Sequence, residues 1–79
     1  MMLTDNQRRV VEALTEVFQE KGLQVPSVQA DTVLEQLGLE SLDFAQVVIR
    51  MEEVTGTDPF ATGADYQIRT LADFAALYE

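Results

Sequence analysis

Few side chains in this sequence could carry covalent chemistry. Ser27 and Ser41 are the only serines, and there is no cysteine and no histidine. That removes thiol nucleophiles, thiolate metal sites, disulfides and the usual general base near neutral pH. Lys21 is the only lysine and stands beside Gly22, so any Ser–Lys pair would rest on it alone. No D-x-[DN]-x-[DN]-G calcium loop occurs. The chain is therefore expected to be no enzyme and to hold no metal. Ser41 is the residue of interest. It sits in LGLESLDF, residues 37–44, held between Glu40 and Asp43 where a glycine-bearing loop meets an amphipathic run. A hydroxyl without a base beside it is a poor nucleophile, but it can accept a group when another protein supplies the activating residues.

Two roles for Ser41 are open at this point. Serine is among the best helix N-caps, contributing about 1 kcal/mol over alanine. A surface serine at a helix start is also readily reached by a modifying enzyme, whose basic residues could pair with neighbouring carboxylates.

Three helices must position this residue. Thr4-Asp5-Asn6-Gln7 fits a capping box, and Val10, Val11, Leu14, Val17 and Phe18 then recur at helical spacing until Lys21-Gly22 stops the helix. Residues 23–40 form a long connection containing Pro26, with a brief turn expected over Thr32–Gln36 behind Asp31. Val33, Leu34, Leu37 and Leu39 are its expected anchors. A second helix runs from Ser41 to Thr55, ended by Gly56. Asp58-Pro59 and Gly63 read as loop, with a short turn around Ala64–Gln67. Thr70-Leu71-Ala72-Asp73 is another capping box, and Leu71, Phe74, Ala75 and Tyr78 make the buried face of a last helix. No stretch alternates long enough to be a strand. The expected fold is all-α, one domain over residues 1–79, a small bundle of three helices and a possible short fourth with a long loop after the first.

The second helix has two apolar faces. Phe44, Val47, Val48, Met51 and Val54 share one arc, the expected core face. Leu42 and Ile49 lie nearly opposite, beside Gln46 and Glu53 and ringed by Glu40, Asp43 and Glu52. An apolar centre with an anionic rim suits transient docking. The competing reading is that the long loop folds over Leu42 and Ile49.

Composition narrows the partners. The net charge is −9, from 14 acidic and 5 basic residues, which disfavours nucleic acid and anionic lipid and favours proteins with basic patches. No apolar run suits a signal peptide or a membrane span, so a cytoplasmic protein is expected, and with no sign of oligomerisation in the sequence a monomer is expected. With 47% hydrophobic and 24% charged residues the chain has the balance of a globular domain.

LGLESLDF, followed by an amphipathic helix containing MEEVTG, resembles the region around the attachment serine of acyl carrier proteins, and the resemblance covers nearly the whole chain. The family's Asp-Ser-Leu after a loop glycine reads here as Glu40-Ser41-Leu42 after Gly38. The resemblance implies that Ser41 receives 4′-phosphopantetheine from coenzyme A through a Mg²⁺-dependent phosphopantetheinyl transferase. The arm's thiol would then hold acyl groups as thioesters for acyl-loading and acyl-transferring enzymes with basic surfaces. It also implies docking through Leu42, Asp43, Ile49 and Glu53, with Glu40 and Gln46 at the same surface. Phe44, Val48, Met51 and Ile68 become candidates to line a space sheltering the acyl chain. Glu40 in place of Asp, Gln46 in place of Glu, Arg50 in an acidic helix and the acid-poor TDPFATGADYQIRT depart from fatty-acid carriers, which points to a stand-alone carrier of a dedicated pathway. Leu39 breaks the paired glycine of peptide-synthetase carriers, which disfavours an aminoacyl or peptidyl cargo. The remaining alternative is an unmodified acidic adaptor in which Ser41 is only an N-cap.

Overall fold

The computed structural model describes residues 2–61, 63 and 66–79. Helix α1 spans Asp5–Glu20, a 3₁₀ turn spans Leu34–Leu37, α2 spans Ser41–Thr55 and α3 spans Leu71–Ala76. Among the described residues there is no strand beyond one isolated antiparallel bridge between Val33 and Thr70.

Local chemistry sets the helix ends. The Thr4 hydroxyl accepts from the Gln7 N–H at 3.1 Å while the Gln7 side chain accepts from the Thr4 N–H at 3.0 Å, satisfying two orphan donors of α1. At the other end Gly22, at φ 71°, donates to Gln19 and Leu23 donates to Phe18. This pair of bonds is a Schellman stop, and only a residue without Cβ adopts that backbone without strain. Thr70 and Asp73 build the third helix start in the same reciprocal way.

The long connection is pinned by backbone bonds rather than by length of helix. Leu34 donates to Arg69 at 3.0 Å, Leu71 donates to Thr32 at 3.0 Å and Ala72 donates to Ala30 at 2.9 Å. These bonds clip the connection to the start of α3, and Leu34 fills the core beneath them. The short turn therefore begins two residues later than the Thr32–Gln36 expected, with Val33 rather than Asp31 at its N-cap. Thr32 and Val33 are engaged in the bridge and cannot be helical. The turn expected around Ala64–Gln67 lies partly outside the described residues, and Tyr66 and Gln67 are not helical.

The core joins all three helices. Val10, Leu14 and Val17 of α1 meet Val47 and Met51 of α2 and Leu71, Phe74 and Ala75 of α3. Helices α1 and α2 run antiparallel, since Lys21 pairs with Asp43 and Glu16 with Arg50. Val54, expected in the core, is 58% exposed. At about 100° per residue it sits at the edge of the buried arc, 60° from Met51, where the packed face ends.

Candidate functional site

Gly38, at φ 75°, ends the 3₁₀ turn and lets the chain double back into α2. Glu40, extended at φ −91° and ψ 169°, is the N-cap of α2, and Ser41 is the first helical residue. This corrects the N-cap role considered for Ser41. The Asp43 carboxylate accepts from the Glu40 N–H at 2.9 Å, and the Glu40 carbonyl accepts from Asp43 and Phe44. Ser41 is exposed and its hydroxyl is not used for the cap.

Asp43 has a second partner. The same carboxylate oxygen accepts from the Lys21 ammonium at 2.6 Å, joining the end of α1 to the start of α2. The Asp43 side chain is only 15% exposed. The Lys21 hydrogen bond, and after it the Glu40 N–H, hold the Asp43 carboxyl below the usual aspartate range. The same hydrogen bond raises the Lys21 ammonium above the ordinary lysine value. Asp43 therefore organises the helix start and is a poor free docking charge.

An apolar cavity of about 390 Å³ opens beside Ser41. Phe44, Val48 and Ile68 line it, together with Leu34, Leu39, Phe60 and Phe74, while Ser41 and Glu35 contribute polar groups. Met51 does not line it. That side chain is 0% exposed and packed into the closed core. At about 100° per residue Met51 points only about 20° from Phe44, so direction alone does not separate them; two turns further along α2 it is enclosed by the core instead of facing the cavity. Leu34, Leu39, Phe60 and Phe74 were not named from the sequence as cavity residues, because their approach to α2 depends on tertiary packing. Phe60 packs edge-on against Tyr66, whose hydroxyl donates to the Pro59 carbonyl at 2.9 Å.

The outer face of α2 is uncovered. Leu42 is 77% and Ile49 55% exposed, so the long connection does not fold over them. Gln46 and Glu53 are exposed on the same face and Glu40 borders it. Gln46 is also occupied, since its side-chain oxygen accepts from Arg50 at 3.2 Å. Among the described residues no group of His, Cys, Asp and Glu could hold a metal ion, and no helix is long and apolar enough to cross a membrane.

An exposed hydroxyl at the mouth of an apolar cavity suits a covalent arm whose cargo prefers to leave water. Comparison with known proteins agrees with this geometry. The family described as "Phosphopantetheine attachment site" matches residues 9–78. The solution structure of MacpD, an acyl carrier protein from Pseudomonas fluorescens involved in mupirocin biosynthesis, is 38% identical with a TM-score of 0.78. The similarity covers 91% of this chain but 66% of that one. No curated protein matches. This chain belongs to the acyl carrier protein family, whose phosphopantetheine-binding domain is where 4′-phosphopantetheine is covalently attached.

Proposed function

We propose that Ser41 is the attachment residue and that the chain presents acyl intermediates to the enzymes of a specialised biosynthetic pathway. The observation that carries this reading is the exposed Ser41 at the mouth of the apolar cavity. In the attachment step the Ser41 oxygen forms a bond to the phosphorus bearing the pantetheine arm. The pyrophosphate link of coenzyme A breaks, the nucleotide leaves, and the hydroxyl proton passes to a base of the transferase. Once attached, the arm supplies a terminal thiol that holds acyl groups as thioesters.

The chain's own residues then have three tasks. Asp43, Lys21 and the Glu40 N–H fix the first turn of α2 and hence the place where Ser41 is offered. Phe44, Val48 and Ile68, with Phe60 and Phe74, give an apolar chain a dry surface. Leu42 and Ile49, rimmed by Glu40, Gln46 and Glu53, form a modest docking strip for enzymes with basic surfaces. Such an interface favours fast arrival and fast release, which a carrier visiting several enzymes needs. The likeness to MacpD supports specialised rather than housekeeping metabolism. Glu40 rather than Ser41 takes the N-cap position, so capping does not account for the serine, which supports attachment over the adaptor reading.

The test is intact mass after incubation with coenzyme A and a permissive phosphopantetheinyl transferase. The wild type should gain one phosphopantetheine and Ser41→Ala none. An unmodified wild type across several transferases, or a modified Ser41→Ala, overturns the assignment.

A further inference from the structure

We infer that Glu16 and Glu20 of α1 act as a charge cage that keeps the α2 docking face anionic by neutralising Arg50; this rests on the docking role proposed for that face. Arg50 is the only cation in α2. On a helix advancing about 100° per residue it lies about 40° beyond Gln46, at the border of the arc of Ile49, Glu53 and Gln46, so a free Arg50 would place positive charge at the rim of that surface.

The structure does not leave it free. Its Nε donates to Glu16 at 2.7 Å and one terminal nitrogen donates to Glu20. The other terminal nitrogen donates to the Gln46 side chain at 3.2 Å and to the Gln46 carbonyl at 3.4 Å. All three guanidinium nitrogens are engaged, and the side chain is 22% exposed while those of Glu16 and Glu20 are 60% and 55% exposed. A basic partner approaching the strip therefore meets, at its border, a guanidinium already paired with two carboxylates that are more exposed than it is. Two residues of the first helix thereby become determinants of partner choice. Their work is electrostatic, since exposed pairs of this kind add little to folding stability.

The test replaces the carboxylates by amides that keep shape and hydrogen bonding but not charge. In Glu16→Gln/Glu20→Gln the KM for the transferase at low salt should rise about three- to five-fold, the size of one unmasked unit charge a few ångströms from a partner cation in water. The kcat should not change, and the effect should fade as salt is added. Adding Arg50→Gln removes the unmasked cation but not the loss of the two carboxylates, so it should recover part of that rise. The charge-matched control Asp31→Asn/Glu79→Gln alters two exposed acids away from this face and should raise KM less. A cage variant no different from that control, or one in which Arg50→Gln recovers none of the rise, overturns the inference. A second arm needs no modification. Titration of ¹⁵N-labelled protein with an oligoarginine peptide should shift the amides of Leu42, Ile49 and Glu53 in the wild type, and less in the cage variant. Equal shifts overturn the inference, whereas failure of the wild type to be modified at all counts against the carrier reading alone.

Discussion

Helix α2 buries one face and offers another, and paired truncations on its two sides separate these functions. Met51 is 0% exposed, so Met51→Ala should cost about 2–5 kcal/mol through lost burial and an unfilled cavity. A chain of this length has a total stability of about 4–12 kcal/mol, so that loss is a large share of the whole. Leu42, at 77% exposed, removes roughly a quarter of its surface from water. Full burial of a leucine contributes about 1.5–3 kcal/mol, which leaves roughly 0.5 kcal/mol for Leu42→Ala. The assay is urea unfolding followed by circular dichroism. With a slope of about 1 kcal/mol per molar urea, Met51→Ala should lower the midpoint by about 2 M or more and Leu42→Ala by about half a molar. Acyl loading by a partner enzyme should show the reverse order at temperatures where both are folded, with Leu42→Ala the slower substrate. If Leu42→Ala destabilises the protein as much as Met51→Ala, Leu42 is covered in solution and the docking argument fails.

Other expectations follow from the same geometry. Val48→Phe fills the cavity beside Ser41 and should weaken protection of a long acyl thioester from hydrolysis while leaving attachment of the arm unchanged; unchanged hydrolysis would show that the cargo lies elsewhere. Asp43 has its carboxyl lowered by Lys21 and the Glu40 N–H, and Asp73 by the N–H groups of Thr70 and Arg69. A depressed folded value adds stability above the unfolded value of 3.8, lost as pH falls below it through the folded values. Acid titration of Asp43→Asn should accordingly show a shallower loss of stability below that pH than the wild type, and parallel curves would refute the linkage. Burial first, then the nearby Asp58 and Glu52, push the Tyr78 phenol up to about 12. Its hydroxyl is buried and has no hydrogen-bond partner among the described residues. Tyr78→Phe should therefore keep or slightly raise the thermal midpoint, since an unsatisfied buried hydroxyl carries only a desolvation cost; a marked drop would reveal a partner for that oxygen.

Patterns that are local in the chain were legible in the sequence. The Thr4–Gln7 and Thr70–Asp73 boxes, the glycine stops at Gly22 and Gly56, and the bounds Ser41–Thr55 depend on residues within one or two turns, and each is present. The outward direction of Leu42 and Ile49 also follows from helical period alone. What depends on distant neighbours was not legible. Lys21 is 22 residues from Asp43, and Arg50 is 34 and 30 residues from Glu16 and Glu20, so period within one helix says nothing of their pairing. The cavity shows the same division. Phe44 and Val48 could be placed on its flank of α2, but Met51, on the same apolar arc two turns beyond Phe44, is enclosed by the core once the helices pack. Serine's high capping preference pointed to Ser41, yet the reciprocal bond between Asp43 and the Glu40 backbone moves the cap back by one residue.

The central claim is that one oxygen of this chain carries the arm. Peptide mapping by tandem mass spectrometry of the protein isolated from its native cells tests it most directly. A phosphopantetheine localised to Ser41, on the peptide containing LGLESLDF, is the predicted result. A modification found on Ser27 instead, or a Ser41 peptide that is never derivatised, would contradict it.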